Sequence, residues 1–287
     1  MRYRATALRR FVAGPLHGRD LALHAAAVTF YGGIAVVPVA LLAIWLTGLA
    51  VGADRVRRLI GHTVAALPDE IGAPRALSAL VDAGLHLTPM LALASLLPAT
   101  LYGEGLRRAF VSLRKPGEPL VGWRGRLLWL PLLAATPALL LAMLLALPVT
   151  SGLWSRGGWY AVAGVTLSFL AAWLVLTPVV IWVYRGIGPD RPRWLPTVLV
   201  GSFTAANLSG FLHGFVLFCA LPLDLGVPFG GFTGIGAVVA VALWLYVFHV
   251  IVLAGYAGTQ SADAYQRARR ERVPAAPSRS PQSADSH

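Results

Sequence analysis

GFTGIGAVVAVALWLYVFHVIVLAGYAG, residues 231–258, is the heart of a 38-residue run, 225–262, without one formally charged side chain. About 20 apolar residues at a rise of about 1.5 Å cross the ~30 Å hydrocarbon core of a bilayer, and only a helix satisfies every backbone N–H and C=O there from within one segment. The run therefore predicts a membrane-spanning helix over residues 231–257. Asp224 bounds it on one side; Asp263 and then Arg267, Arg269, Arg270 and Arg272 bound it on the other. Those arginines mark the second end as cytoplasmic.

Composition agrees. Hydrophobic residues make up 57% of the chain and charged ones 13%, with a mean hydropathy of +0.68, more apolar than a soluble domain of this length. The net charge of +12 raises nucleic acid as a partner, but the basic residues sit in short runs between apolar stretches and form no stripe with interleaved aromatics. Membrane lipids, anionic ones among them, are the expected partners, and nucleic acid is not; a homo-oligomer is left open. Of the 24 basic residues only Lys115 is lysine, which fits either codon bias or pairing of arginine with lipid phosphate. The single cysteine, Cys219, leaves no disulfide and no cysteine metal cluster.

Working outward from the last span, the chain predicts an all-α, polytopic membrane protein with six transmembrane helices. The spans fall at about 21–51, 87–110, 127–149, 159–184, 194–220 and 231–257. Span one is long enough to tilt or to bend at Gly32, Gly33 and Pro38. Span two is interrupted by Pro89 and Pro98 and loaded at its far end by Glu104, Arg107 and Arg108. Residues 1–20 form a basic cytoplasmic segment resembling an interfacial helix rather than a signal peptide, because the apolar region that follows is too long for one. Between spans one and two, Val56, Leu59, Ile60, Val64 and Leu67, then Leu77, Leu80 and Val81, recur at helical spacing and predict two short amphipathic helices at the membrane surface. Residues 21–260 thus make the membrane domain. Residues 261–287 make a cytoplasmic tail whose Pro, Ser, Ala and Gln composition predicts disorder at its end.

With both termini in the cytoplasm, 19 basic residues lie inside and five outside, the bias expected of short loops. An odd number of spans breaks this alternation. The expected location is a bacterial inner membrane, crossed several times.

Polar groups inside apolar spans are expensive in lipid and face protein or a wet path. In span five, Ser202, Ser209 and His213 share one helical face, with Asn207 on a neighbouring one. In span one, Thr29 and Tyr31 precede Pro38. These seven residues are candidates for a substrate path; the plainer reading is close helix packing with cross-helix hydrogen bonds. If Asn207 faces protein rather than lipid, replacing it with Leu should disturb function or assembly more than Leu208→Asn. On the cytoplasmic side Glu104 is followed at i+3 and i+4 by Arg107 and Arg108, with Arg114 and Lys115 beyond. These five are candidates for holding an anionic lipid headgroup, or else a local ion pair and orientation signal; lysine replacements should preserve orientation but grip phosphate less well.

Three stretches carry a resemblance. AAAVTFYGGIAVVPVALL (25–42) is similar to the first-span pattern of the YihY/BrkB family of bacterial inner-membrane proteins: small residues, Phe-Tyr, then Pro seven residues after the Tyr. LYGEGLRRAFVSLRK (101–115) resembles that family's basic turn after span two. The glycines at 230, 231, 234 and 236, followed by LWLYVFHVIVLAG (243–255), resemble its glycine-rich approach to a Leu-Trp-Leu-Tyr core. Family members often carry Gly-Ala-Glu near the end of span six, whereas here Gly255 is followed by Tyr256 and Ala257. The resemblance implies a six-helix membrane protein, described in the family as a virulence or serum-resistance factor and, in an older label, as a ribonuclease.

These residues give ribonuclease chemistry no carrier, since Glu104, Glu118 and Asp190 are scattered singly and nuclease chemistry needs clustered carboxylates or His with metal. His24, His213 and His249 lie on three different spans and read as hydrogen-bonding groups rather than ligands. The chain has no phosphate-loop pattern and no Gly-x-Ser-x-Gly elbow. No catalytic residue, metal or cofactor is expected, and the protein is not read as an enzyme. The expected function is a transporter or flippase-like protein for a lipid-like or amphiphilic anionic substrate, the alternative a non-transporting envelope scaffold that binds lipids or partner proteins.

Overall fold

Asp20 opens the first helix by accepting a hydrogen bond from the Leu23 N–H at 2.8 Å, which satisfies one of the orphan donors at a helix N-terminus. Helix α1, Leu21–Val51, then runs unbroken through Pro38. It ends at Gly52, whose φ of +90° reverses the chain at a backbone angle that side-chain-bearing residues avoid. A computed structural model describes residues 20–64, 73–114, 122–154, 156–219, 221 and 223–271. The basic segment over residues 1–19, Lys115 and the tail from residue 272 lie outside the described residues.

Seven more long or medium helices follow: α2 Ala53–Val64, α3 Ala73–Leu85, α4 Pro89–Arg114, α5 Trp123–Trp154, α6 Gly158–Trp182, α7 Trp194–Cys219 and α8 Thr233–Glu271. A π-turn, Val183–Ile187, extends α6, and a 3-10 turn, Val227–Phe229, precedes α8. Among the described residues there is no strand. Five helices, α1, α5, α6 with its π-turn, α7 and α8, have the length and hydropathy to cross a membrane. Helix α4, on which the expected second span falls, is not one of the five, because Glu104, Arg107, Arg108 and Arg114 dilute its far half.

The long helices close a ring in the order α1, α4, α5, α6, α7, α8 and back to α1. Their outer faces are apolar, with Phe30, Leu93, Trp159, Phe203 and Val238 exposed. Inside, Val28, Leu106, Phe110, Tyr184, Leu208, Leu253 and Tyr256 form the main core. An apolar exterior around an interior that also holds Thr47, Glu104, Ser209 and His249 is the arrangement a bilayer demands rather than water. A smaller core of Ile44, Val56, Ile60, Val81 and Leu144 docks α2 and α3 on α1 and α5 at the end of the ring away from Arg114. Helices α4 and α5 touch backbone to backbone where Gly103 meets Gly125, and a Cβ on either glycine would strike the other's carbonyl.

Helix α8 continues well past the expected span end at 257. Asp263 and Arg267, one turn apart, hold each other at 2.5 Å, and such i,i+4 pairs carry a helix beyond its apolar part.

Candidate functional site

Three helices contribute one polar chain to the interior. Tyr102 lies near the middle of α4 and His249 near the middle of α8, and the Tyr102 hydroxyl stands 2.9 Å from His249 Nε2. His249 Nδ1 is 3.0 Å from Thr29 Oγ1 of α1, and Thr29 Oγ1 donates to the Ala25 carbonyl at 2.8 Å. Since the threonine hydroxyl has a single proton, used on Ala25, this assigns the proton of His249 to Nδ1, with Nε2 accepting from Tyr102. His249 is fully buried. Gly32 makes room for it: a Cβ there would lie 3.1 Å from His249 Cε1 and 3.4 Å from Tyr102 Cε2. The Tyr102 ring is set edge-on to Trp129 of α5 at 4.9 Å, which fixes its hydroxyl's direction. Tyr31, next to Gly32 in the chain, packs against Gly105 of α4.

The expected polar face of α7 turns to a different neighbour. Trp173 Nε1 of α6 donates to Ser202 O at 3.0 Å and Ser202 Oγ at 3.2 Å. Ser209 Oγ donates to Phe169 O at 2.9 Å, and His213 Nε2 meets Ser168 Oγ at 2.9 Å. These three residues therefore join α7 to α6 and are not brought to Thr29 and Tyr31. Asn207 is exposed and donates to Phe203 O of its own helix at 2.8 Å, so it does not face protein; its neighbour Leu208 is the buried one. Pro38 is half-buried in α1. The three span histidines have different surroundings, and among the described residues no three His, Cys, Asp or Glu side chains gather.

At the ring end carrying Arg114, Glu104 is buried and divided between two arginines. Its Oε1 takes Arg108 Nη2 at 2.5 Å and Nε at 2.9 Å, and its Oε2 takes Arg126 Nε of α5 at 2.5 Å. A buried carboxylate needs such charge-assisted partners. Arg107, expected to share this carboxylate, instead donates Nη1 to the Ile187 carbonyl at 2.8 Å. Arg114 meets Asp190 and donates Nη1 to Gln260 Oε1 at 3.1 Å. Lys115 lies outside the described residues.

Sequence reasoning left out Tyr102, His249, Arg126 and Asp190 as site residues. The signal for His249 was present, as the one imidazole in the uncharged run 225–262. Its partners sit 147 and 220 residues away in the chain, beyond any local pattern.

A ring of apolar helices with paired polar groups inside defines a polytopic helical membrane protein. The chain belongs to the family described as Virulence factor BrkB, which matches residues 13–280. No curated protein and no solved structure matches it.

Proposed function

We propose that this BrkB-family chain is a transporter or flippase-like protein of a bacterial inner membrane, not an enzyme, that moves a lipid-like or amphiphilic anionic substrate. The observation that carries the reading is the Tyr102–His249–Thr29 chain, an ionisable residue and its partners held inside an apolar helix ring, near the level where Gly103 meets Gly125. Such groups are costly in lipid and mark substrate or ion pathways. The arginines around Glu104 offer an anion a landing place at one mouth. Six spans belong to the proposal. Helix α4 has 26 residues, about 39 Å at the helical rise, is the main partner of α1 in the ring, and starts beside α3 but ends beside Asp190 and Gln260. Helices α2 and α3 then lie on the periplasmic surface, their apolar faces on the ring and Arg57 paired outward with Asp54 and Asp82. Both termini are cytoplasmic.

The test is reconstitution into liposomes carrying fluorescent phosphatidylglycerol, with bleaching of the outer leaflet by dithionite. Protein-containing vesicles are expected to lose label beyond the outer-leaflet half. A rate equal to that of protein-free vesicles sinks transport and leaves the scaffold reading. That second reading has its own support, since Ser202, Ser209 and His213 spend their polar groups on α6, the cross-helix bonding of a closely packed pair rather than of an open path.

A further inference from the structure

Where α4, the π-turn and α8 meet, a second set of polar groups is left incomplete. The Tyr256 ring stacks on Phe110 with centroids 4.0 Å apart, and the residue is 1% exposed. Its hydroxyl faces the Gln260 amide and the charges of Asp190, Arg114 and Arg107. The Gln260 amide is the hydroxyl's one near partner, and that contact falls short of hydrogen-bond geometry at both Tyr256 Oη and Gln260 Nε2. An unmet buried hydroxyl is destabilising, and a phenylalanine would keep the same stack without that cost. The adjoining turn packs close to the hydroxyl at Gly188, where a Cβ would lie 3.3 Å from it.

The cations nearby also outnumber the carboxylates. Arg107 has no carboxylate among the described residues, Glu104 being taken by Arg108 and Arg126; of its guanidinium donors, Nη1 goes to Ile187 O. Arg114 touches Asp190, whose Oδ2 makes no hydrogen bond of proper geometry. Gln260 turns its oxygen to Arg114, which leaves its amide N–H groups for something else. Two guanidinium groups, one phenol O–H and one amide NH2 stand against a single carboxylate, that of Asp190, which Arg114 holds. That imbalance calls for an anion with several oxygens, which a phosphate ester has and a carboxylate lacks.

We propose that Arg107, Arg114, Tyr256 and Gln260 form a binding site for a phosphate ester anion, with Asp190 as the counter-ion that releases Arg114 when the anion arrives. This names the headgroup of the substrate in the transport reading, and rests on that reading only for the step across the membrane. A phospholipid headgroup and a soluble phosphate ester share this chemistry.

The experiment is equilibrium titration of the purified full chain in detergent with short-chain phosphatidylglycerol, short-chain phosphatidylcholine and inorganic phosphate, read by tryptophan fluorescence. Phosphatidylglycerol is expected to bind more tightly than phosphatidylcholine. Tyr256→Phe is expected to weaken it about tenfold, the loss of one hydrogen bond to a charged group, while leaving the unfolding midpoint unchanged or higher. Asp190→Asn is expected to tighten binding severalfold, the opposite of what a merely structural ion pair gives. Competition by inorganic phosphate at concentrations like those of the lipid assigns the site to soluble esters; no competition assigns it to headgroups, and either result keeps the site. Absence of binding, or one Kd shared by wild type and both variants, overturns it. Flux with no change in binding removes the site and keeps transport, whereas altered binding without flux removes transport and keeps the site.

Discussion

Asn207 and Leu208 are chain neighbours with opposite surroundings. Leu208 is 1% exposed in the main core, while Asn207 is exposed on the outer face with its amide on Phe203 O. Leu208→Asn places an amide among Leu, Val and aromatic side chains and should cost about 2–4 kcal/mol, the sum of a lost apolar side chain and an unmet polar group. Asn207→Leu exchanges a self-satisfied amide for an apolar side chain on an apolar surface and should change stability by less than about 1 kcal/mol. Thermal unfolding of both variants in one detergent checks the order; a lower midpoint for Asn207→Leu than for Leu208→Asn would refute it. Helical periodicity in the sequence correctly put Ser202, Ser209 and His213 on one face. It carried no information on which helix that face meets, because the choice between α1 and α6 is made by ring packing. Arg107 shows the same limit: its i+3 spacing to Glu104 permits a pair, yet Arg126 from α5 takes the second oxygen, and the Ile187 carbonyl takes Arg107.

Elements were easier to read than partners. Span one, expected at 21–51, is Leu21–Val51, and the span expected at 194–220 is the helix Trp194–Cys219, because apolar length and helix length coincide where caps and prolines bound them. They part company in α8, where the helix outlasts its apolar run, and in α4, where a full-length helix is too polar in one half to be recognised by hydropathy. What makes α4 fit is close approach. Gly103 and Gly125 bring α4 and α5 into backbone contact, whereas Gly33 has nothing within 4 Å of where a Cβ would be. Gly125→Ala should therefore force the two helices apart and cost about 1–3 kcal/mol, as overpacking does. Gly33→Ala should stay within about 1 kcal/mol of wild type, helix propensity favouring it if anything. Folded yield and melting in detergent measure both. Equal losses at the two positions would mean that the α4–α5 contact does not hold the ring.

The number of crossings is a property of the whole molecule, and charge alone does not choose it. With six spans and both termini inside, only Arg55, Arg57, Arg58, Arg75 and Arg156 lie outside. A five-span chain in which α4 fails to cross and the N-terminus is outside leaves Arg2, Arg4, Arg9, Arg10, Arg19 and Arg156 there, nearly as strong a bias. The alternation therefore does not by itself demand an even count. Packing separates the two. A non-crossing α4 would have to leave its place between α1 and α5 in the ring, withdrawing Tyr102 from His249 and Glu104 from Arg126, which leaves a buried imidazole short of one of its two partners and Arg126 without its carboxylate. The two topologies also agree at Asp224, outside, and at the C-terminus, inside, so reporters there test the later spans alone. They disagree between α2 and α3. Alkaline phosphatase, which works only in the periplasm, is expected to be active when inserted between these helices and near Asp224, and silent when fused after Asp285. Activity near Asp224 with silence between α2 and α3 would place the N-terminus outside and remove α4 from the spans, and with it the ring that carries the polar chain.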